Sequence, residues 1–298
     1  MRELLSAPRA LITIGGVCFG GLGKSELALW LAGRFAERED AQSAGVALVC
    51  HGYGGLSEQA ERVELPAYHE LTERERLEAL ARWGDEALMM RWRAPRSVTV
   101  WAGGSWGERV ARSEARWVVC DGGLYRPELK PSAQLCIFNP RLRPLLTPLG
   151  PLCRPLSQFP RSVSWWRHQD EPFIGGHSQA YQRCAPVLAE SRSGIEALIS
   201  PSGERLSSAS LKGRRVQLWA GVARPQRILE ALKSHGASLA PPVLSRDHAP
   251  FSRRQLALGR RAEPGLLRVC THKDLPRVPK WLELSVLEPS FRVTAHES

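Results

Sequence analysis

Apolar positions along the chain fall into short continuous runs separated by helical-period segments, the alternation that builds α/β proteins. Ala10-Leu11-Ile12-Thr13-Ile14 is dense enough in branched residues to be a buried strand. After a glycine-rich interval, Glu26-Leu27-Ala28-Leu29-Trp30-Leu31-Ala32 repeats its apolar residues at helical spacing, which predicts a helix over 24–37. Further strands are predicted at 46–50, 97–101, 117–121 and 133–138. Between them lie helical stretches at 70–82, from Asp85 onward and at 107–115. Five strands with intervening helices define a doubly wound, largely parallel sheet of the phosphate-loop type. The pattern weakens from Arg161 to Gly213 and returns with strands at 215–221, 266–271 and 281–287 and helices at 225–235 and 252–261. The expected division is therefore a nucleotide-binding domain over 1–160, a linking region over 161–213 and a second, smaller α/β domain over 214–298. No internal repeat is present.

Composition narrows the class. The chain has 298 residues, 43% of them hydrophobic, enough for a sizeable core. Lys and Arg number 41 against 30 Asp and Glu, a formal charge of +11, so its partners are anions: nucleotides, nucleic acid or an acidic membrane surface. Seven scattered cysteines without a CxxC pair predict reduced thiols in a cytoplasm, with neither a disulfide framework nor a zinc site. No run reaches the ~20 apolar residues of a membrane span. Met1-Arg2-Glu3-Leu4-Leu5 leads almost directly into the first strand, which fits no signal peptide.

The chemistry starts at Gly15-Gly16-Val17-Cys18-Phe19-Gly20-Gly21-Leu22-Gly23-Lys24-Ser25, set between a strand and a helix. Glycines there let backbone N–H groups close around phosphate oxygens, and the helix N-terminus adds a favourable dipole. Lys24 would reach the outer phosphates and the Ser25 hydroxyl would hold Mg²⁺. One departure from GxxxxGK[ST] is Cys18 at the first glycine. Asp121 ends an apolar strand, which suits either a Mg²⁺-supporting carboxylate or a turn cap. Asp85 and Glu86 after Gly84 are either acids favouring a helix N-terminus or a catalytic carboxylate. Asp247-His248 is either a solvated turn with a local contact or a second site.

Read in order, the blocks Gly20 to Ser25, His51-Gly52-Tyr53-Gly54-Gly55, Gly84-Asp85-Glu86-Ala87 and Asp121-Gly122-Gly123 form one series. It continues with Pro148-Leu149-Gly150-Pro151-Leu152, Ala220 to Pro225, Asp247-His248-Ala249-Pro250-Phe251 and Thr271-His272-Lys273-Asp274. The series resembles the tetraacyldisaccharide 4′-kinase (lipid A 4′-kinase) family, whose blocks read GGTGKT, SRGYGG, GDEP or GDEA, DDGFQ, PAGPLREP, AGIARP, DHHxF and TEKD. The resemblance implies transfer of the γ-phosphate of ATP to the 4′-hydroxyl of a disaccharide lipid, from a cleft between two α/β/α domains. It implies ATP contacts from Gly20, Gly21, Leu22, Gly23, Lys24 and Ser25, and Mg²⁺ held by Ser25 and Asp121. Asp85 matches the catalytic aspartate and His248 its partner, while His51, Tyr53, Arg109 and Arg154 are candidate substrate or phosphate contacts.

Several departures accompany the match. His51 stands for an arginine, Glu26 for a proline, His272 for a glutamate, and Arg154 for a glutamate near the metal. The family's two neighbouring aspartates are reduced to Asp121, and its apolar N-terminal segment is almost absent. Two readings follow, a divergent working kinase or a nucleotide-binding paralogue with weakened transfer. A basic nucleic-acid-binding ATPase is the alternative from another class, disfavoured because the positive charge is spread and no recognised module appears. The implied location is the cytoplasmic face of the inner membrane of a Gram-negative bacterium, held peripherally. Met89 to Arg93 and Trp165-Trp166-Arg167 are either headgroup contacts, where aromatic rings and cations suit a membrane surface, or ordinary core aromatics beside solvated arginines.

Overall fold

The computed structural model describes residues 9–18, 20–40, 44–142, 145–147, 149, 152–160, 162–170, 181, 184, 186–261 and 263–295. Phe19, Pro148, Gly150 and Pro151, named in the motifs above, lie outside them. The first apolar run is β1 (Ala10–Gly16), buried along its whole length. Val17 and Cys18 follow it, and the turn 20–23 leads into α1 (Lys24–Ala36). There follow β2 (Val46–Cys50), the short β3 (Glu61–Arg62), α2 (Glu73–Arg93), β4 (Val98–Ala102), α3 (Trp106–Arg112), β5 (Trp117–Asp121) and β6 (Ala133–Phe138). The five strands predicted in this half are β1, β2, β4, β5 and β6; they pair in parallel in the order β6-β1-β5-β2-β4.

The stretch 161–213 holds two long strands, β7 (Val163–Asp170) and β8 (Val187–Ile199), and the short β9 (Arg205–Ser207). Their pattern is weak because polar side chains face inward. Ser191 is buried, accepts a hydrogen bond from Trp166 Nε1 at 2.8 Å and bonds His168 Nδ1 at 2.9 Å. An alternation read from hydrophobicity misses a strand whose inward positions are serine. Beyond them lie β10 (Arg215–Ala220), α4 (Pro225–Ser234), β11 (Ser238–Leu239), β12 (Val243–Leu244), α5 (Arg253–Gly259), β13 (Leu266–Thr271) and β14 (Ser285–Ala295). The strand expected over 281–287 begins only at Ser285, because Lys280–Leu282 forms a 3₁₀ turn.

Among the described residues fourteen strands share one sheet, β11-β10-β13-β14-β8-β7-β6-β1-β5-β2-β4-β3, with β12 on β10 and β9 on β8. Most pairings are parallel; β14 runs antiparallel to β8 along its length and joins the two halves. In open α/β sheets, ligands collect beyond the carboxyl ends of strands. The register pairs Ile14 and Cys50 with Asp121, so β1, β2 and β5 all end at one place. The ends of β10 and β13 lie side by side in the same way.

Met89, Met90 and Trp166 are buried, and Trp92 Nε1 donates to the Pro66 carbonyl. Of the two readings of 89–93 and 165–167, the structure gives the core one, with Trp92 and Trp165 partly buried against the same cluster, where these large apolar groups gain more by leaving water. Among the described residues no helix is long and apolar enough to cross a membrane.

Candidate active site

The loop after β1 turns on glycines. Gly21 and Gly23 have φ of 70° and 78°, left-handed values that strain any residue with a Cβ. The turn delivers Lys24 and Ser25 to the first turn of α1, whose N–H groups have no partners inside the helix. Leu22 is buried in the core and anchors the loop. Arg224, from the other half, donates to the Gly21 carbonyl at 3.2 Å.

Ser25 Oγ donates to Asp121 Oδ2 at 2.6 Å. The other oxygen, Oδ1, is buried without a hydrogen-bond partner among the described residues. Burial raises the Asp121 carboxyl, while the Ser25 hydrogen bond and the Lys24 charge oppose the rise. A buried carboxylate with an unused oxygen beside a hydroxyl is a hard-oxygen donor set, and it fits Mg²⁺.

Asp85 lies behind the wall of the same cavity, next in the chain to Glu86, which lines it. Helix α2 is broken at Gly84, whose φ of 80° and ψ of 164° leave the helical region. A Cβ at Gly84 would overlap the Tyr53 carbonyl, so the break and the close approach of the 52–55 turn both require glycine. The two helical segments predicted around Gly84 are therefore present, and Asp85 opens the second. Asp85 is 3% exposed. His248 Nδ1 lies 2.9 Å from its Oδ1 and 3.1 Å from its Oδ2, although 163 positions separate the two residues. His248 has a φ of 61°, an uncommon value for a non-glycine residue, and it brings the ring inward from a tight turn. Lys273 Nζ sits 2.9 Å from His248 Nε2 and 2.9 Å from Asp247 Oδ1. An ammonium only donates, so Nε2 accepts, and this network places the ring proton on Nδ1, where it is donated to Asp85. The Tyr53 ring packs on the imidazole with centroids 4.5 Å apart.

A cavity of about 640 Å³ is lined by Lys24, Ser25, Asp121, Tyr53, His248 and Lys273 among others, and Asp85 adjoins it through His248. His51 lines it too, and burial followed by the Arg109 charge lowers its imidazole pKa. Arg109 stands behind the site. Its guanidinium donates to the Cys50 and His51 carbonyls and lies over the Trp106 ring, so it shapes the end of β2. Arg154 stacks on Tyr125, 3.6 Å from the ring centroid, and is not among the lining residues.

For other residues the structure supplies surroundings that the sequence left open. Glu86, beside Lys273 at 3.8 Å, is raised to about 7 by burial and by the Asp121 charge. Glu26 pairs with Arg93 at the opposite end, and burial with the Arg93 charge lowers His272 to about 3. The sequence signal for Lys273 was the block Thr271 to Asp274, which carried no role by itself. Arg277, beyond any block, had no signal.

A loop built to wrap phosphate, sharing one cavity with an imidazole that is bonded to a buried carboxylate, puts the chain among the phosphate-loop kinases. Comparison with known proteins narrows this class. The family model described as tetraacyldisaccharide-1-P 4′-kinase matches residues 1–296, and the chain belongs to that family. The tetraacyldisaccharide 4′-kinase of Methylobacterium nodulans is 32% identical over 297 residues, covering 96% of this chain and 80% of the relative. That of Nitrobacter hamburgensis is 31% identical, covering 93% and 78%. The fold is similar to that of LpxK from Aquifex aeolicus, solved in complex with ATP, with a TM-score of 0.67 at 19% identity over 97% of this chain and 85% of the other.

Proposed function

We propose that the chain transfers the γ-phosphate of ATP to the 4′-hydroxyl of a tetraacyldisaccharide 1-phosphate, a step of lipid A biosynthesis. The observation that carries this reading is the Asp85–His248 contact, made by residues of opposite halves, with His248 lining the cavity that Ser25 and Asp121 also line. Residues Gly20 to Ser25 wrap the phosphates of ATP, with Lys24 meeting the outer ones. Mg²⁺, held by Ser25 and Asp121, would neutralise charge on the phosphates when bound. Asp85 accepts the proton of the sugar hydroxyl as that oxygen attacks phosphorus, and the His248 Nδ1–H keeps the carboxylate oriented. His51 and Tyr53 line the acceptor side. In this reading 1–160 carries the nucleotide half, 214–298 carries His248, and 161–213 joins them.

The lipid acceptor implies work at the cytoplasmic face of the inner membrane. Leu145, Leu146 and Leu149 support this, the last 84% exposed. No Asp or Glu occurs between Glu128 and Asp170, while Lys130, Arg141, Arg143, Arg154, Arg161 and Arg167 do. Exposed leucines among cations suit an anionic bilayer surface.

The test is incubation with labelled ATP, Mg²⁺ and a disaccharide 1-phosphate lipid, reading out a 4′-phosphorylated product. Asp85→Asn and His248→Ala should each lower kcat with ATP affinity kept, and the double variant should be barely worse than the weaker single. No product from the native protein at any Mg²⁺ concentration would overturn the kinase reading; multiplicative losses would separate the two residues.

A further inference from the structure

Arg277 takes no part in the chemistry above, yet its side chain is buried, 3% exposed, in contact with both halves of the site. Its guanidinium acts as a latch. Nη2 donates to the Gly221 carbonyl at 3.0 Å and to Asp274 Oδ1 at 2.6 Å. Nη1 donates to the Ala249 carbonyl at 3.0 Å, one residue after His248. Asp274 fixes the guanidinium in turn. Its Oδ1 accepts from Gly221 N–H and its Oδ2 from Thr271 Oγ1, each at 2.6 Å. Thus the end of β10, the turn after β13 and the turn carrying His248 are tied to one planar cation.

One nitrogen remains outside this latch. Nε has no hydrogen-bond partner among the described residues and lies 3.4 Å from Asp85 Oδ2. Asp85, equally buried, belongs to α2 of the other half. Its carboxylate is therefore met from two sides, by His248 Nδ1–H and by the Arg277 charge. A buried anion held by a single neutral donor can swing about that contact; a cation approaching from another direction restrains it. The same cation holds the His248 turn, so both members of the pair take their places from one group.

We infer that Arg277 is a positioning residue for phosphate transfer: it sets Asp85 and the His248 turn in mutual register across the two halves. The inference rests on the proposed role of Asp85, and its test separates the two. In steady-state kinetics with ATP and the disaccharide lipid, Arg277→Met should lower kcat roughly a hundredfold, the loss typical of small misplacement of a reacting group. The KM for ATP should stay within about twofold of native, because no phosphate contact is touched. Arg277→Lys keeps the charge without the fork and should recover about tenfold of the loss. In an Asp85→Asn background, Arg277→Met should cost less than about twofold more, because the group it orients is already disabled.

Unchanged kcat in Arg277→Met, or a full further loss in the Asp85→Asn background, overturns the inference. If Arg277→Met fails to bind ATP, Arg277→Lys decides: native kcat in that variant overturns the inference, and reduced kcat with native ATP KM supports it. Should Asp85→Asn itself keep native kcat, the proposed role of Asp85 falls first, and this inference falls with it.

Discussion

Replacing Glu86 by Gln should make the nucleotide- and metal-free protein more stable at pH 8 by roughly 3 kcal/mol, and leave it little changed at pH 5. Glu86 lies in the cavity close to Asp121. Burial and then that neighbouring charge raise its carboxyl from 4.5 to about 7, and Lys273 offsets only part of the rise. A rise from 4.5 to about 7 at about 1.4 kcal/mol per pH unit sets a ceiling of about 3.5 kcal/mol, most of which is expressed at pH 8. The folded-state value lies above the unfolded one. The stabilising protonation is therefore complete below about 4.5 and lost as pH climbs through about 7. At pH 8 the native protein carries an ionised, poorly solvated carboxylate that the glutamine variant lacks. His272 works in the opposite direction. Burial and the Arg93 charge hold its imidazole at about 3, so below pH 6.5 the unfolded chain takes up a proton that the folded one refuses. Both proteins share that loss, so it cancels in their difference. Urea unfolding followed by tryptophan fluorescence, in chelator at both pH values, measures this difference. An equal difference at pH 5 and pH 8, or no gain at pH 8, would refute the electrostatic account of Glu86.

Two further outcomes test the ends of the site. Lys24→Ala should weaken ATP binding by about 2 kcal/mol, near thirtyfold, with transfer lost; calorimetry showing native affinity would sink the phosphate-loop assignment. The native protein should sediment with anionic vesicles at low salt and much less at high salt, and replacing Leu145, Leu146 and Leu149 together by Ser should weaken the low-salt binding at least about tenfold. Equal sedimentation of that variant would remove the leucines from the membrane contact.

Legibility from sequence followed the physics of each element. The strands at 10–16, 46–50, 117–121 and 133–138 are buried wholly or for most of their length and read as continuous apolar runs. The glycines before Lys24 were readable because left-handed backbone has few other occupants. Gly84 was readable as a break for the same reason. Strands β7 and β8 were not, since their inward face is built from Ser191, His168 and the tryptophan N–H they satisfy. Polar residues that satisfy one another inside a sheet leave no hydrophobic signature.

The site divides along a similar line. Lys24, Ser25, Asp85, Asp121 and His248 sit in ordered motifs, so a family resemblance suffices to group them. Proximity was the missing quantity. Arg109 and Arg154 looked like anion contacts because arginine so often is one. The first is committed to the carbonyls of Cys50 and His51 and the second to the face of Tyr125. Conversely Lys273 fixes the tautomer of His248, and Arg277 meets Asp85 from a position 192 residues away, given by 277 − 85. A cation's role depends on which acceptors the fold leaves beside it, and in a buried site those acceptors are mostly backbone carbonyls, which every sequence possesses at every position. That is why the reacting groups can be read along a chain while the groups that orient them emerge only when the two halves are brought together.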